Sequence, residues 1–169
     1  MQVQFLITYE SLFFISLVFF GVVFATVKTS DSFYYLFSIA IFTTYSFVVR
    51  NAGFDADIGN YKQYLEMKSF SIYYLKEPFY WLGSRLIYKY SDSHLLVFKV
   101  YDFLFFVIIL AVTRKLGVPK YFPYAVVVFF PSVLGMQNVF RQFIASGFLL
   151  LFLSYVMIGA GYAKKLMVL

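Results

Sequence analysis

Residues 140–161 read FRQFIASGFLLLFLSYVMIGAG, and from residue 143 onward this stretch carries no charged side chain. A helix that spans a bilayer needs about 20 apolar residues, so the stretch is long enough to cross one. Its second residue is Arg141, and a guanidinium at the centre of a bilayer costs about 2.5 to 3.5 kcal/mol on insertion scales. What this arginine contacts therefore depends on where the rest of the chain crosses the membrane.

The composition sets the fold class. Of 169 residues, 62% are hydrophobic and 13% are charged, whereas a soluble domain is about 45 to 50% apolar and about 25% charged. The mean hydropathy is +0.80. We therefore expect an all-α, polytopic integral membrane helix bundle. With no cysteine and one histidine, disulfides, thiolate metal sites and histidine clusters are excluded, and we expect neither a metal nor another cofactor.

Five segments are long enough, or nearly so, to cross the membrane: residues 5–27, 33–49, 95–113, 121–137 and 139–161. The fourth contains Pro123 and Pro131, which predict a kink or a break. A sixth apolar run begins after Lys165. No internal repeat is visible, so residues 1–169 form a single membrane domain, with a polar segment at residues 50–94.

The basic residues of the short loops predict the orientation. They fall in alternate loops: Lys28, then Arg114, Lys115 and Lys120, then Lys164 and Lys165. The positive-inside rule places these loops in the cytoplasm, the N-terminus outside, and residues 50–94 outside. The net charge of +6 serves this orientation, because no basic run or soluble module is present to bind nucleic acid.

Polar side chains share one face at the start of the last predicted span. Asn138, Arg141 and Gln142 are spaced i, i+3 and i+4, so a helix aligns them. The planar fork of an arginine suits phosphate or carboxylate. The alternative is that Arg141 extends to the lipid interface without a specific partner.

The polar segment 50–94 holds carboxylates among tyrosines. Asp55 and Asp57 precede Tyr61 and Tyr64, and carboxylates with aromatic rings are the groups that bind sugars. A carboxylate at an apolar membrane surface can also act as a general base. The alternative is that the acidic residues are helix caps or solvated charges. The DAD triplet is too short to indicate a metal site.

Two further patterns make local predictions. Glu77 directly precedes Pro78, which predicts a helix start followed by an amphipathic helix over residues 79–90. Lys99 and Asp102 are spaced i, i+3 near one end of the third predicted span. We expect these two side chains to neutralise each other.

Read in order, these motifs resemble the EpsG and Wzy-like family of membrane polysaccharide polymerases. The resemblance rests on Arg50, on Gly53 with the Asp57 and Tyr61 pair, and on the stretches KEPFYWL (76–82) and NVFRQFIASGF (138–148). Family members are generally about twice as long and continue with more spans and a characteristic histidine. The resemblance therefore implies that the chain is the N-terminal portion of a longer polymerase.

The resemblance implies a glycosyltransferase-type reaction in the bacterial inner membrane. Oligosaccharide repeats linked to undecaprenyl diphosphate would be joined at its outer face, in the company of a flippase and a chain-length regulator. Arg50 and Arg141 would bind the diphosphate, oriented by Asn138 and Gln142. Asp57 or Glu77 would activate the acceptor hydroxyl, and Asp55, Tyr61 and Tyr64 would hold sugar. The alternatives are a transporter or flippase component and a non-catalytic assembly subunit.

Overall fold

The computed structural model describes residues 2–52, 56–66, 75, 77–129 and 140–159, and the side chains of residues 12–48, 50, 61–66, 75, 77–127 and 144–159. In these ranges the chain forms helices and no strand, which confirms the all-α fold. The helices are α1 (Gln2–Thr26), α2 (Asp31–Ala52), α3 (Ala56–Glu66), α4 (Pro78–Ser91), α5 (His94–Leu116), α6 (Phe122–Phe129) and α7 (Phe140–Met157).

Four of the five predicted spans coincide with helices α1, α2, α5 and α7. The fourth predicted span is helical only as far as Phe129, where α6 ends, and Pro131 lies outside the described residues. In the part of the chain that is described, one helix, His94–Leu116, is long and apolar enough to cross a membrane. Leu12–Thr26 and Ile144–Met157 are shorter apolar helices. The number of spans remains a prediction.

Helix α5 lies at the centre of the bundle and packs extensively on both α2 and α7. It runs antiparallel to α2, since the Phe42 ring lies 5.2 Å from the Phe106 ring and Arg114 lies over Tyr35. It runs parallel to α7, since Gly147 packs on Phe105 and, further along both helices, the Lys115 ammonium lies over the Tyr155 ring. The start of α7 therefore lies at the same end of the bundle as the start of α5.

The opposite end of the bundle, where α1 and α5 end, joins the loop after α1 to the loop after α5. The Lys120 ammonium donates to the Thr29 carbonyl oxygen at 2.6 Å and lies 2.7 Å from a carboxylate oxygen of Asp31. The Tyr34 hydroxyl donates to the Lys120 carbonyl oxygen at 2.8 Å. The first two basic loops thus lie together, as the predicted topology requires. We call this the basic-loop end.

Helix α4 begins where the sequence predicted, with Glu77 at the N-cap position and Pro78 in the first turn. Its last residue is Ser91 and its C-cap is Asp92, whose left-handed φ of 50° reverses the chain; Ser93 then caps α5. The Tyr101 hydroxyl fixes the first turn of α4 on α5, because it lies 3.1 Å from the carbonyl oxygen of Phe79 and 2.9 Å from that of Tyr80.

Candidate functional site

Ser46 and Arg50 lie one helical turn apart on α2, and both contact Asp102 of α5. The Nε and Nη2 atoms of Arg50 donate to the two carboxylate oxygens of Asp102 at 2.8 and 2.9 Å. The Ser46 hydroxyl donates to Asp102 at 2.6 Å. The Arg50 and Asp102 side chains are only 2% and 6% exposed. We call these three residues the buried triad.

The expected pairing of Lys99 with Asp102 is wrong. Asp102 instead accepts hydrogen bonds from α2, and the Lys99 ammonium lies 4.3 Å from the centre of the Phe47 ring. The reason is geometric, because a guanidinium offers parallel N–H donors that match both oxygens of one carboxylate. Asp102 and Ser46 are the residues of this site that the sequence prediction missed.

The charges of Arg50 and Asp102 cancel within the triad. An unpaired buried ion carries a desolvation cost of several kcal/mol, and a bidentate pair with a further hydroxyl donor offsets that cost. Asp102 binds both the Nε and the Nη2 groups of Arg50. The predicted phosphate-binding Arg50 is therefore held in one orientation by its partner.

Beside the triad stands a group of packed rings from α3, α4 and α5, which we call the aromatic wall: Tyr61, Tyr80, Trp81, Phe98 and Tyr101. The Tyr61 ring lies between 5.8 and 6.0 Å from the rings of Tyr80, Trp81 and Phe98. Phe98 joins the wall to the triad, because the Arg50 guanidinium carbon lies 5.9 Å from its ring centre.

The two tyrosines predicted to hold sugar differ in exposure. Tyr61 is buried in the aromatic wall at 7% exposure. Tyr64 is 39% exposed, and its ring meets Trp81 edge-on at 5.5 Å. Stacking on a sugar requires an open ring face. The exposed Tyr64 ring meets this requirement, whereas the Tyr61 ring is enclosed within the aromatic wall.

The predicted acidic residues are only partly described. Glu77 is exposed, and among the described contacts its carboxylate makes no capping hydrogen bond to α4. Tyr101 binds the first turn of α4, and Asp102 is the next residue along α5. Glu77 therefore starts a helix that is fixed to α5 next to the triad. Asp57 belongs to α3, but its side chain lies outside the described residues, as does the whole of Asp55.

The start of α7 lies at the same end of the bundle as the triad. Arg141 and Gln142 belong to the first turn of α7, but their side chains, and all of Asn138, lie outside the described residues. The end of α2 and the start of α7 lie at a similar level along α5, because Arg50 pairs with Asp102 and Gly147 packs on Phe105. Within the described residues both helices pack far more extensively on α5 than on each other, so α5 is the element that relates Arg50 to Arg141.

These features describe a class: an α-helical protein with a clear candidate membrane span and a neutralised arginine beside an aromatic wall at one end of its bundle. The sequence profile of the EpsG family matches residues 33–169. The chain therefore belongs to the EpsG family, which confirms the resemblance and fits a membrane protein with a polysaccharide-polymerase-like role. No curated protein and no solved structure matches the chain.

Proposed function

We propose that this protein polymerises lipid-linked oligosaccharide repeats into surface polysaccharide at the outer face of the bacterial inner membrane. Membership of the EpsG family over residues 33–169 supports the reaction class. The buried triad is the observation that carries the proposal for the site. It fixes the orientation of Arg50 next to the aromatic wall and next to the start of α4, where Glu77 lies.

In the proposed reaction, a sugar hydroxyl of the acceptor repeat attacks the anomeric carbon of the growing chain. The new bond is the glycosidic carbon–oxygen bond, and the bond that breaks joins the anomeric carbon to the lipid diphosphate. The diphosphate leaves with the electron pair, and the hydroxyl proton passes to a carboxylate, for which Asp57 and Glu77 are the candidates. Arginine donors aimed at the diphosphate stabilise the charge that develops on it.

The triad implies different roles for Arg50 and Arg141 in binding the diphosphate. Because Asp102 neutralises Arg50, this residue contributes an oriented guanidinium but little net positive charge at a diphosphate. The attraction must therefore come from a second cation, which we assign to Arg141, with Gln142 and Asn138 orienting it. Tyr64 and Asp55 would contact sugar, and Tyr61 would support Tyr64 through Trp81.

The test replaces each arginine by lysine in the gene at its native locus and measures polysaccharide chain length on a gel. Lysine keeps the charge but lacks the planar fork, so we expect Arg50→Lys and Arg141→Lys to lose most long polymer. Arg114→Lys, at the basic-loop end, is the matched control and should keep it. Polymer of normal length in both site variants would refute the proposed roles of the arginines.

The proposed topology has several spans, with the N-terminus and residues 50–94 outside. A cysteine introduced at Ser69 should react with an impermeant thiol reagent in intact spheroplasts, whereas one at Lys28 should react only after lysis. The natural chain has no cysteine to interfere. The reverse labelling pattern would contradict this orientation.

A transporter or flippase component is the second candidate, and the triad itself favours it, because buried ion pairs within a bundle also occur along transport pathways. The two functions leave the lipid-linked repeat on different faces. Loss of a polymerase leaves single repeats on the outer leaflet, whereas loss of a flippase leaves them on the cytoplasmic leaflet. A membrane-impermeant glycosidase applied to intact spheroplasts of the deletion strain distinguishes these cases.

A further inference from the structure

Helix α4 has two different faces. One face packs into the protein through Tyr80, Trp81 and Ser84, which are all buried. The other face carries a row of exposed apolar side chains at helical spacing, which we call the apolar stripe: Phe79, Leu82, Leu86 and Tyr90, exposed by 58%, 44%, 58% and 81%. Large apolar side chains in a row are unfavourable in water, so we expect either lipid or another protein surface to cover them.

The depth of α4 follows from its attachment to α5. Its 14 residues rise about 21 Å at 1.5 Å per residue, which is short of the roughly 30 Å of a bilayer core. The turn at Asp92 and Ser93 returns the chain into α5, and Tyr101 then binds the first turn of α4. Tyr101 lies about 10 Å along α5 from His94. The start of α4 is therefore level with a residue inside the clearest candidate span of the described chain.

The charges on α4 also fit a lipid surface. Arg85 and Lys89 are spaced i, i+4 along one border of the apolar stripe, and Lys89 lies near the end of α4 at the Asp92 turn. Long basic side chains at such a border extend toward lipid phosphates while their stems stay against acyl chains. Tyr88 and Tyr90 lie at the same end, where aromatic residues favour the membrane interface.

We propose that α4 is a half-membrane helix that dips into one leaflet beside α5, with its apolar stripe against lipid acyl chains and Arg85 and Lys89 at the phosphate level. Phe79 is then the deepest residue of the stripe and Tyr90 the shallowest. This inference does not depend on the polymerase reaction. If that reaction also holds, the lipid tail of the substrate can stay in the bilayer along α4 while its diphosphate reaches the triad.

The experiment uses single-cysteine variants of the full chain in nanodiscs of phosphatidylethanolamine and phosphatidylglycerol. Phe79→Cys, Leu82→Cys, Leu86→Cys and Tyr90→Cys are each labelled with a nitroxide, and collisions with oxygen and with a water-soluble nickel chelate are measured. We expect the ratio of oxygen to nickel collisions to be several-fold higher at Leu82 and Leu86 than at the control Lys89→Cys. The ratio should fall from Phe79 to Tyr90.

Two results would overturn the proposal. Nickel collisions at Leu82 and Leu86 as frequent as at Lys89 would place α4 in water, and protection from both reagents would mean that protein covers the stripe. A second measurement moves the single tryptophan of the chain from the buried face onto the stripe, in the double variant Trp81→Phe with Leu86→Trp. Lipids with brominated acyl chains should quench its fluorescence, and undiminished emission would contradict a helix within the leaflet.

Discussion

An ion pair joins neighbouring parts of the chain at each end of the bundle, and the two pairs lie in opposite surroundings. Arg50 and Asp102 are 2% and 6% exposed and meet through two parallel hydrogen bonds. Lys120 and Asp31, at the basic-loop end, are 28% and 72% exposed. The two pairs have similar N···O distances but different interaction energies, because water screens the charges of Lys120 and Asp31 and not those of Arg50 and Asp102.

The comparison indicates which end of the bundle is the better candidate for the functional site. The exposed pair joins the loop after α5 to the first residue of α2, and solvent can replace either partner. The buried pair cannot lose one partner without leaving an ion in an apolar bundle. A protein that needs only packing gains little from such a pair, and the triad is therefore the better candidate for function.

The largest effect should follow from removing one partner of the buried pair. Asp102→Ala leaves the Arg50 guanidinium buried without its carboxylate, and such a loss costs about 3 to 5 kcal/mol in other proteins. We expect a markedly lower yield of folded protein and a lower melting temperature in detergent. Asp31→Ala at the other end is the control and should change little. Equal melting temperatures for the two variants would remove the distinction between the ends.

An intermediate effect should follow from closing the contact between α5 and α7. A Cβ atom at Gly147 would lie 2.8 Å from a ring carbon of the buried Phe105. Overpacking of this kind costs about 1 to 3 kcal/mol, which outweighs the roughly 1 kcal/mol that alanine gains over glycine in a helix. Gly147→Ala should therefore lower the melting temperature.

Gly21→Ala is the matched change near the basic-loop end. Its Cβ atom would lie 3.2 Å from that of Tyr124, so the clash is milder and the effect should be smaller. A greater loss of stability in Gly21→Ala than in Gly147→Ala would mean that α1 and α6, rather than α5 and α7, form the tighter contact.

The smallest effect concerns the exposed pair and its pH dependence. The hydrogen bond from Lys120, assisted by its charge, holds the pKa of the Asp31 carboxyl below its ordinary value of 3.8. A lowered pKa in the folded state stabilises the protein above the ordinary value, and this contribution is lost as the pH falls below about 3.8. The melting temperatures of wild type and Asp31→Asn should therefore differ slightly at pH 6 and converge in strong acid. A difference that grows on acidification would contradict this sign.

The sequence predicts helices well here, because apolar runs and the Glu77–Pro78 start are local signals. It failed at Asp102 because the partner of a buried charge is chosen across helices. Lys99 was the nearest cation along α5, but Arg50 lies on α2, where only the packing register brings it opposite Asp102. The i, i+4 spacing of Ser46 and Arg50 was the available clue. It becomes informative only once α2 and α5 are known to be antiparallel neighbours.

The sequence also does not predict which of the two candidate sugar-binding tyrosines is exposed. Tyr61 and Tyr64 are one turn apart on α3 and have the same chemistry, so the sequence treats them alike. Packing against Trp81 and Phe98 buries the first and leaves the second 39% exposed. The roles of Asp57 and Arg141 stay predictions, because their side chains lie outside the described residues.

The most direct test of the triad's functional role separates stability from activity. Replacing a buried ion pair by apolar residues of similar volume is often neutral or stabilising, so Arg50→Leu with Asp102→Leu should restore the melting temperature that Asp102→Ala loses. The same double variant, expressed from the native locus, should make no long polysaccharide, because the oriented guanidinium is gone. A folded double variant that produces polymer of normal length would show that the triad only holds α2 against α5.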